Sequence, residues 1–396
     1  MKTAILFLLA RASFLATISR AQQPVSDDVA ELAAKNTEFA ASLYRKVASA
    51  SDDNILLSPL SVSVGLAALS AGAGGATREQ LLQGLGLAPL ERNGQPERLP
   101  QLFQKLQEEV TRSEGLRLYQ ATALFLRQQA EVVTSFSELV KKFYGADVTK
   151  ADFGNAQAAK NTINDYVNSK TGGRVAEAVS SLDPTIQLML VSSVFAQGTW
   201  ELPFNRSATQ EERFYVNKYK VVQVPMMIRA DKYYLAYDPS IKLGVLKLPY
   251  QGGVAMLVLL PDKDVDYTSI DEMLTAERFL GWVGKLKKTK LEVQLPRFSL
   301  EQSYGMRNIL PDLGITDVFE NTANLTLSSE SGLKLSEVLH KVMIDVSERG
   351  TGTTSGLGGS SMPPRLTINR PFLFIIYHEA TKSPLFMGRV IDPTKK

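Results

Sequence analysis

Apolar positions in the first third of the chain recur at the spacing of amphipathic helices. From Val29, large apolar residues return every three or four positions, and residues 102–110 repeat this period. Ser58-Pro59 has the residue types that begin a helix, a capping serine before a proline in the first turn. Thr77, followed three residues later by Gln80, predicts a capping box on the next helix. The N-terminal half is therefore predicted to be mainly helical.

The C-terminal half has the shorter period of β-strands. Residues 291–295 and 342–346 alternate along the chain, and the continuous apolar run at 254–260 is typical of a strand buried on both faces. Two further apolar segments, 371–377 and 384–390, predict strands at the end of the chain. Helices first and strands later, without strict alternation, indicate one α+β body.

One long segment interrupts this regular pattern. Eleven of the twelve residues from Gly350 to Ser361 are glycine, serine or threonine, and Leu357 is the apolar exception. Predicted strands flank the segment on both sides. Loops of this length inside a domain are uncommon and tend to be functional or disordered. Taken alone, the segment is equally consistent with an exposed linker and with a binding loop.

Composition narrows the class of protein without identifying it. The 396 residues are 44% hydrophobic and 21% charged, which is typical of a globular chain and excludes a disordered one. A net charge of +3 is too small to indicate a nucleic-acid partner. The absence of cysteine excludes disulfides, thiolate metal sites and a cysteine nucleophile. Two histidines, His340 and His378, leave little for zinc or acid–base chemistry.

Motifs that would indicate an enzyme are incomplete. His378-Glu379 resembles half of a zinc-protease motif, but Lys382 occupies the position of the second histidine ligand. Ser360 lies in Gly-Gly-Ser-Ser-Met, which differs from the Gly-x-Ser-x-Gly pattern of a nucleophile elbow. We therefore predict that the chain is not an enzyme and that it uses no metal and no cofactor.

Basic residues are densest shortly after Trp282. The cluster consists of four lysines, Lys285, Lys287, Lys288 and Lys290. We interpret it as the solvated end of a helix, and the alternative is a surface that binds a polyanion.

The N-terminus has the features of a secretory signal. Residues 1–21 contain an early lysine, a short apolar run and a small-residue region, which predicts cleavage before Gln22. The alternative is an uncleaved, frayed N-terminus. Asn205 and Asn324 each begin an Asn-x-Ser/Thr tripeptide, so they are candidate glycosylation sites in a secreted, extracellular glycoprotein. No segment approaches transmembrane length, so no membrane partner is predicted.

Six segments in a fixed order resemble the serpin superfamily, and within it the secreted antitrypsin-like group. The resemblance runs from about residue 28 to the C-terminus. The segments are Asn54–Ser61, Gly198–Trp200, Val224–Met227, Leu335–Thr351, Asn369–Phe372 and Leu385–Arg389.

The resemblance implies a particular fold and activity. We expect residues 22–396 to form one serpin domain, with a mainly helical N-terminal half packed on a large central mixed sheet, plus smaller sheets. An exposed reactive-centre loop is expected at about residues 348–364. Such a protein is a monomeric, secreted inhibitor whose partner is an extracellular serine protease. The protease cleaves the loop, which then inserts into the central sheet. A protein Z-like or glycosaminoglycan cofactor is a further expected partner, with Tyr219 and Glu272 as candidate binding residues.

The resemblance also assigns roles to individual residues. Counting back from Ser361–Pro364 puts the scissile bond between Ser360 and Ser361, whereas counting forward from the hinge puts it near Pro364–Arg365. Trp200 lies in the "breach", where insertion begins. The "shutter", beneath the point where the sheet parts, contains Ser58, Ser61, Ser192 and His340. The loop hinge consists of Glu348, Arg349, Gly350, Thr351, Gly352, Thr353, Thr354, Ser355 and Gly356.

The loop departs from the pattern of inhibitory relatives. Its hinge carries glycine where they have mostly alanine, and glycine is a poor strand former. A scissile bond after Ser360 also leaves the loop about four residues short, a deficit on the order of 13 Å of strand. These features support an alternative function, a non-inhibitory serpin that acts as a carrier or binding protein.

Overall fold

The structure is a computed structural model that describes residues 25–91, 94–329, 332–350 and 363–396. The helices are α1 Asp27–Ser49, α2 Pro59–Ser70, α3 Gly75–Gly84, α4 Arg98–Thr111, α5 Thr134–Tyr144, α6 Ala156–Lys170, α7 Tyr267–Met273 and α8 Ala276–Lys285. The strands are β1 Ile55–Leu57, β2 Leu116–Arg127, β3 Asp147–Ala151, β4 Leu188–Gly198, β5 Gln210–Tyr215, β6 Val221–Asp238, β7 Leu243–Pro249, β8 Val254–Pro261, β9 Lys287–Pro296, β10 Phe298–Gly305, β11 Glu337–Val346, β12 Arg365–Thr367, β13 Phe372–His378 and β14 Ser383–Val390.

The strands form two mixed sheets. One has nine strands in the order β1-β14-β13-β8-β7-β6-β9-β12, with β5 paired to β6. The other has five strands in the order β10-β11-β4-β2-β3. Helices concentrated in the N-terminal half pack on this framework, which confirms the expected α+β architecture.

The centre of the five-stranded sheet is a parallel pair, β4 and β11. Their register runs from Met189 opposite Glu337 to Gln197 opposite Asp345. The outer neighbours, β2 on β4 and β10 on β11, are antiparallel to them. We call the β4–β11 pairing the seam, and its end at Gln197 and Asp345 the upper end.

Both faces of the seam are covered. Alternate residues of β4 enter two different apolar cores, so residues 188–196 are buried without interruption. On one face, α6 is held to β2 by Tyr166, whose hydroxyl donates to the Thr122 carbonyl at 2.9 Å. The segment after α6 is held by Arg174, whose guanidinium lies 5.7 and 5.6 Å from the rings of Tyr119 and Phe195. The β4–β11 pairing is therefore covered on both faces and lies inside the molecule.

The helix predictions are confirmed for α1, α2 and α4, but the capping box on α3 is wrong. That helix begins at Gly75, so Thr77 already lies inside its first turn. The Thr77 hydroxyl donates to the Asp317 carboxylate instead, and the Gln80 side chain accepts the backbone N–H groups of Thr316 and Asp317. The two side chains join α3 to a distant segment, which a local motif cannot reveal.

The strand predictions in the C-terminal half are confirmed, and β8 is buried along its whole length. The lysine cluster is only partly a helix end, because α8 stops at Lys285 and β9 begins at Lys287. The N-terminal half contributes β2, β3 and β4 to the five-stranded sheet in addition to its helices. Within the described ranges, no helix is long and apolar enough to cross a membrane.

Candidate functional site

The upper end of the seam is closed around Trp200. Its indole N–H donates to the Ser347 carbonyl at 2.7 Å, and its backbone N–H donates to the Arg349 carbonyl at 2.9 Å. The indole ring stacks on Tyr250 with centroids 4.0 Å apart, and Phe204 meets it edge-on at 6.0 Å. Trp200 is 2% exposed. The segment that follows β11, residues 347–349, is therefore anchored to a buried aromatic side chain.

Two neighbouring residues complete this upper cluster. The Glu348 carboxylate accepts a hydrogen bond from Thr209 Oγ1 at 2.8 Å and lies 3.6 Å from the Arg297 guanidinium. At Gly350, a Cβ atom would lie 2.3 Å from Pro203 Cβ and 2.8 Å from the Trp200 carbonyl oxygen, so only glycine fits there. The structure therefore joins Arg349 and Gly350 directly to Trp200, and it joins Glu348 to Thr209 and Arg297. The other predicted hinge residues, Thr351, Gly352, Thr353, Thr354, Ser355 and Gly356, and the scissile-bond residues Ser360 and Ser361 lie outside the described residues.

The middle of the seam contains a second polar cluster. The backbone N–H of Ser58 donates to His340 Nε2 at 3.0 Å, and the hydroxyls of Ser58 and Ser61 are 2.9 Å apart. His340 lies directly opposite Ser192 in the β4–β11 register. The structure brings Ser58, Ser61, Ser192 and His340 together. Ser58 precedes α2 as predicted, but its hydroxyl bonds to Ser61 rather than capping the helix.

The middle cluster leaves buried polar groups unsatisfied. Within the described residues, the hydroxyls of Ser192 and Ser193 have no hydrogen-bond partner. Burial lowers the pKa of His340 to about 4, so the ring is neutral at pH 7. Since Nε2 accepts from Ser58, the ring proton resides on Nδ1. The Ser192 backbone opposes the pKa shift, although Nδ1 has no well-aligned partner in the described chain.

Sequence reasoning missed Tyr250, Thr209, Arg297 and Ser193. Gly198 offered a signal for the first, because a Cβ at that position would lie 2.1 Å from the Tyr250 ring. Thr209 and Arg297 act only through Glu348, which lies more than a hundred residues away from Thr209 in the chain. No local pattern connects residues at that separation.

The candidate partner-binding residues lie at the surface. Tyr219 is 97% exposed in the turn between β5 and β6, where the Asn217 side chain accepts the backbone N–H groups of Tyr219 and Lys220 at 2.9 Å each. Glu272 is exposed on α7. The turn and the first residue of α7, Tyr267, line one pocket together with the C-terminal segment.

Both candidate glycosylation sites are accessible. Asn205 is exposed, and its side-chain oxygen accepts hydrogen bonds from Ser207, which leaves the amide nitrogen pointing away from that turn. Asn324 is exposed as well, but its amide nitrogen lies against Gly74.

The fold and the seam define the class of protein. Residues 34–393 match the family described as Serpin (serine protease inhibitor). The chain therefore belongs to the serpin family, whose members are protease inhibitors by descent and not enzymes.

Individual relatives are similar over nearly the whole chain. The Protein Z-dependent protease inhibitor of Homo sapiens is 36% identical over 370 residues, covering 92% of this chain and 83% of that protein. The Corticosteroid-binding globulin of Oryctolagus cuniculus is 38% identical over 370 residues, covering 91% of this chain and 96% of that protein. The crystal structure of mouse protein-Z dependent protease inhibitor matches with a TM-score of 0.87 at 34% identity, covering 93% of this chain and 100% of that one. The relatives thus include inhibitors and a carrier.

Proposed function

We propose that this chain is a secreted serine-protease inhibitor that acts by cleavage of its reactive-centre loop and insertion of that loop into the seam. The observation that carries the proposal is the parallel pairing of β4 and β11 directly below the segment 348–350. A chain that turned back from Gly350 would run antiparallel to both strands, because they point the same way. One parallel pairing would then become two antiparallel ones, which are slightly more stable per residue.

The polar clusters support this sequence of events. The upper cluster holds Glu348 to Gly350 outside the sheet until the loop is cut. Ser192 and Ser193 lie on β4, one of the two strands that an inserted strand would pair with, and burying their hydroxyls without partners costs about 1–3 kcal/mol each. The closed seam therefore retains free energy that insertion can release.

The cellular context of the proposal follows from the sequence. We propose that residues 1–21 are a cleaved signal, that 22–396 form one domain, and that Asn205 and Asn324 are glycosylated. Both asparagines are accessible, and the relatives include proteins named as plasma inhibitors. The loop itself, about residues 348–364, has the scissile bond at Ser360–Ser361, and a serine there suits a protease with a small specificity pocket.

A panel of elastase-like serine proteases tests the proposal. We expect an SDS-stable covalent complex, because a distorted protease stays acylated to the cut loop. A protease that cleaves the loop and is recovered with full activity would contradict inhibition.

The second candidate function is a carrier or binding protein. It is favoured by the glycine-rich, shortened loop and by the similarity to a corticosteroid-binding globulin. Clean loop cleavage without complex formation, together with saturable binding of a steroid probe such as cortisol, would support this function in place of inhibition.

We further propose that a protein Z-like cofactor binds the surface around Tyr219 and Glu272. The nearly complete exposure of Tyr219 supports this, since tyrosine is enriched among the residues that dominate binding at protein interfaces. Purified protein Z is the probe, and we expect Tyr219→Ala to weaken its binding at least tenfold, as for a typical interface hot spot. Tyr237→Ala, a change at another exposed tyrosine, is the control. If the wild-type chain, Tyr219→Ala and Tyr237→Ala bind protein Z equally well, the proposed binding surface would be refuted.

A further inference from the structure

Three lysines form a compact, uncompensated positive surface on β6 and β9. Lys290 lies directly opposite Lys232, and Lys288 lies opposite Tyr234 two residues along the same face. Directly opposed side chains in an antiparallel pair lie about 5 Å apart at Cβ, and like charges in that position are destabilising. We call Lys232, Lys288 and Lys290 the lysine face.

No acidic side chain neutralises the lysine face. All three side chains are exposed, and none makes an ion pair within the described chain. Carboxylates close by in the sheet are paired with other cations, since Asp231 pairs with Arg229 at 2.6 Å, Glu292 with Arg365 at 2.5 Å and Glu379 with Lys247.

An aromatic ring adds a second feature to this surface. Tyr234 lies between two ammonium groups, with Lys247 Nζ 5.1 Å and Lys288 Nζ 5.9 Å from its ring centroid. The ring fixes Lys288 over the sheet by a cation–π contact. The face is therefore a flat, partly ordered patch of positive charge rather than a set of freely moving surface lysines.

The position of the lysine face relates it to the reactive-centre loop. β12 runs parallel to the outer edge of β9, with Arg365 opposite Glu292, and the Pro364 carbonyl accepts the Glu292 N–H at 2.9 Å. Because the strands are parallel, the chain entering β12 at Pro363 runs beside Lys290. The lysine face therefore lies beside the point where the chain enters β12, within reach of a protease that binds the residues preceding Pro363.

We propose that the lysine face is a secondary docking surface for the target protease, selecting one with acidic residues beside the part of its cleft that receives the residues after the scissile bond. This proposal rests on the proposed inhibitory function and names the class of protease. Attraction between the three lysines and acidic residues of the protease mainly accelerates association of the two proteins. We therefore expect the effect in the association rate constant, and we expect it to weaken as the salt concentration rises.

The test uses an elastase-like protease that reacts with the wild-type chain. It is used in its natural form and in a form with three glutamates added beside the part of its cleft that receives the residues after the scissile bond. The full chain is compared with K232S/K288S/K290S and with a matched control, K105S/K150S/K263S. The control removes three exposed lysines from α4, β3 and the loop after β8, so both variants have a net charge of zero instead of +3.

At low salt we expect the glutamate form to react with the wild-type chain about tenfold faster than the natural form, a gain that 0.5 M salt largely removes (about 4 Å screening length). K232S/K288S/K290S should lose the gain and the control should keep it. Equal losses in both variants, or no gain at all, would overturn the docking surface alone. Retention on immobilised heparin that depends on the three lysines, with no gain for the glutamate protease, would overturn it in favour of a polyanion site. A wild-type chain that no panel protease cleaves or traps would overturn the inhibitory function and the docking surface together.

Discussion

Two regions of the seam, its upper end and its middle, differ in how their polar side chains are satisfied. At the upper end, Trp200 and Glu348 have hydrogen-bond partners for their side-chain polar groups. In the middle, Ser192 and Ser193 are buried without partners. The middle region lies within the β4–β11 ladder, whereas Trp200 and Glu348 lie just beyond its last pair, Gln197 and Asp345. The comparison shows that side-chain hydrogen bonds hold the closed sheet at its upper end, whereas buried hydroxyls on β4 are left unsatisfied in its middle.

The largest effect is expected from Trp200→Ala in the upper cluster. Removing a buried tryptophan costs about 3–5 kcal/mol, and here it also frees Ser347 and Arg349. We expect a lower free energy of unfolding in urea and faster proteolysis after Gly350. Trp282→Ala is the matched control, because Trp282 is also buried but bonds to Asp238 far from the seam. Equal proteolysis rates in the two variants would contradict a fastening role for Trp200.

The second effect concerns acid and the middle cluster. His340 has a pKa of about 4 in the folded chain and about 6.5 when unfolded, so the unfolded chain binds the extra proton between these values. The contribution to stability is complete above about pH 6.5 and is lost as the pH falls towards 4, to a limit of about 3 kcal/mol.

Unfolding free energies measured across this pH range check the His340 prediction. His340→Gln should flatten the acid limb of the curve. His378→Gln is the control, since burial lowers the pKa of His378 as well. This change should remove only the contribution of His378 to the slope of unfolding free energy against pH and leave that of His340 in place. If the wild-type chain and His340→Gln have the same dependence of unfolding free energy on pH, the assignment of the acid limb to His340 would be refuted.

A smaller effect is expected for Glu348→Gln. The change weakens the hydrogen bond from Thr209 and removes the ion pair with Arg297, with an expected cost of about 1–2 kcal/mol because Glu348 is largely buried. A double-mutant cycle with Thr209→Val isolates the shared interaction. Strictly additive losses of unfolding free energy would show that the two side chains do not cooperate.

The smallest effect has the opposite sign. Ser192→Ala removes an unsatisfied buried hydroxyl, so we expect it to stabilise the intact chain by about 1 kcal/mol. Ser61→Ala breaks the contact with Ser58 and should destabilise the chain by a similar amount. Thermal melting of both variants would reveal the difference, and a destabilised Ser192→Ala would mean that its hydroxyl is satisfied.

Much of the secondary structure could be predicted from sequence because hydrophobic periodicity is a local property of the chain. The helix from Val29 and the buried strand at 254–260 were predicted from local periodicity. The meeting of His340 with Ser58, which are distant in sequence, was expected only from the family resemblance. The role of Gln80 and the partners of Glu348 were not predicted, since both depend on contacts between distant segments. Strand β4 was also missed, because a continuous apolar run does not by itself distinguish a strand from a buried helix.

Thermal melting before and after a single cut between Gly350 and Pro363 tests most directly whether the folded chain stores free energy in its seam. If the cut segment fills the seam, about ten new backbone pairs at roughly 1 kcal/mol each should raise the melting temperature on the order of 10 °C. Cut and intact chains that melt at the same temperature would show that no strand was added, and the proposed mechanism would fail.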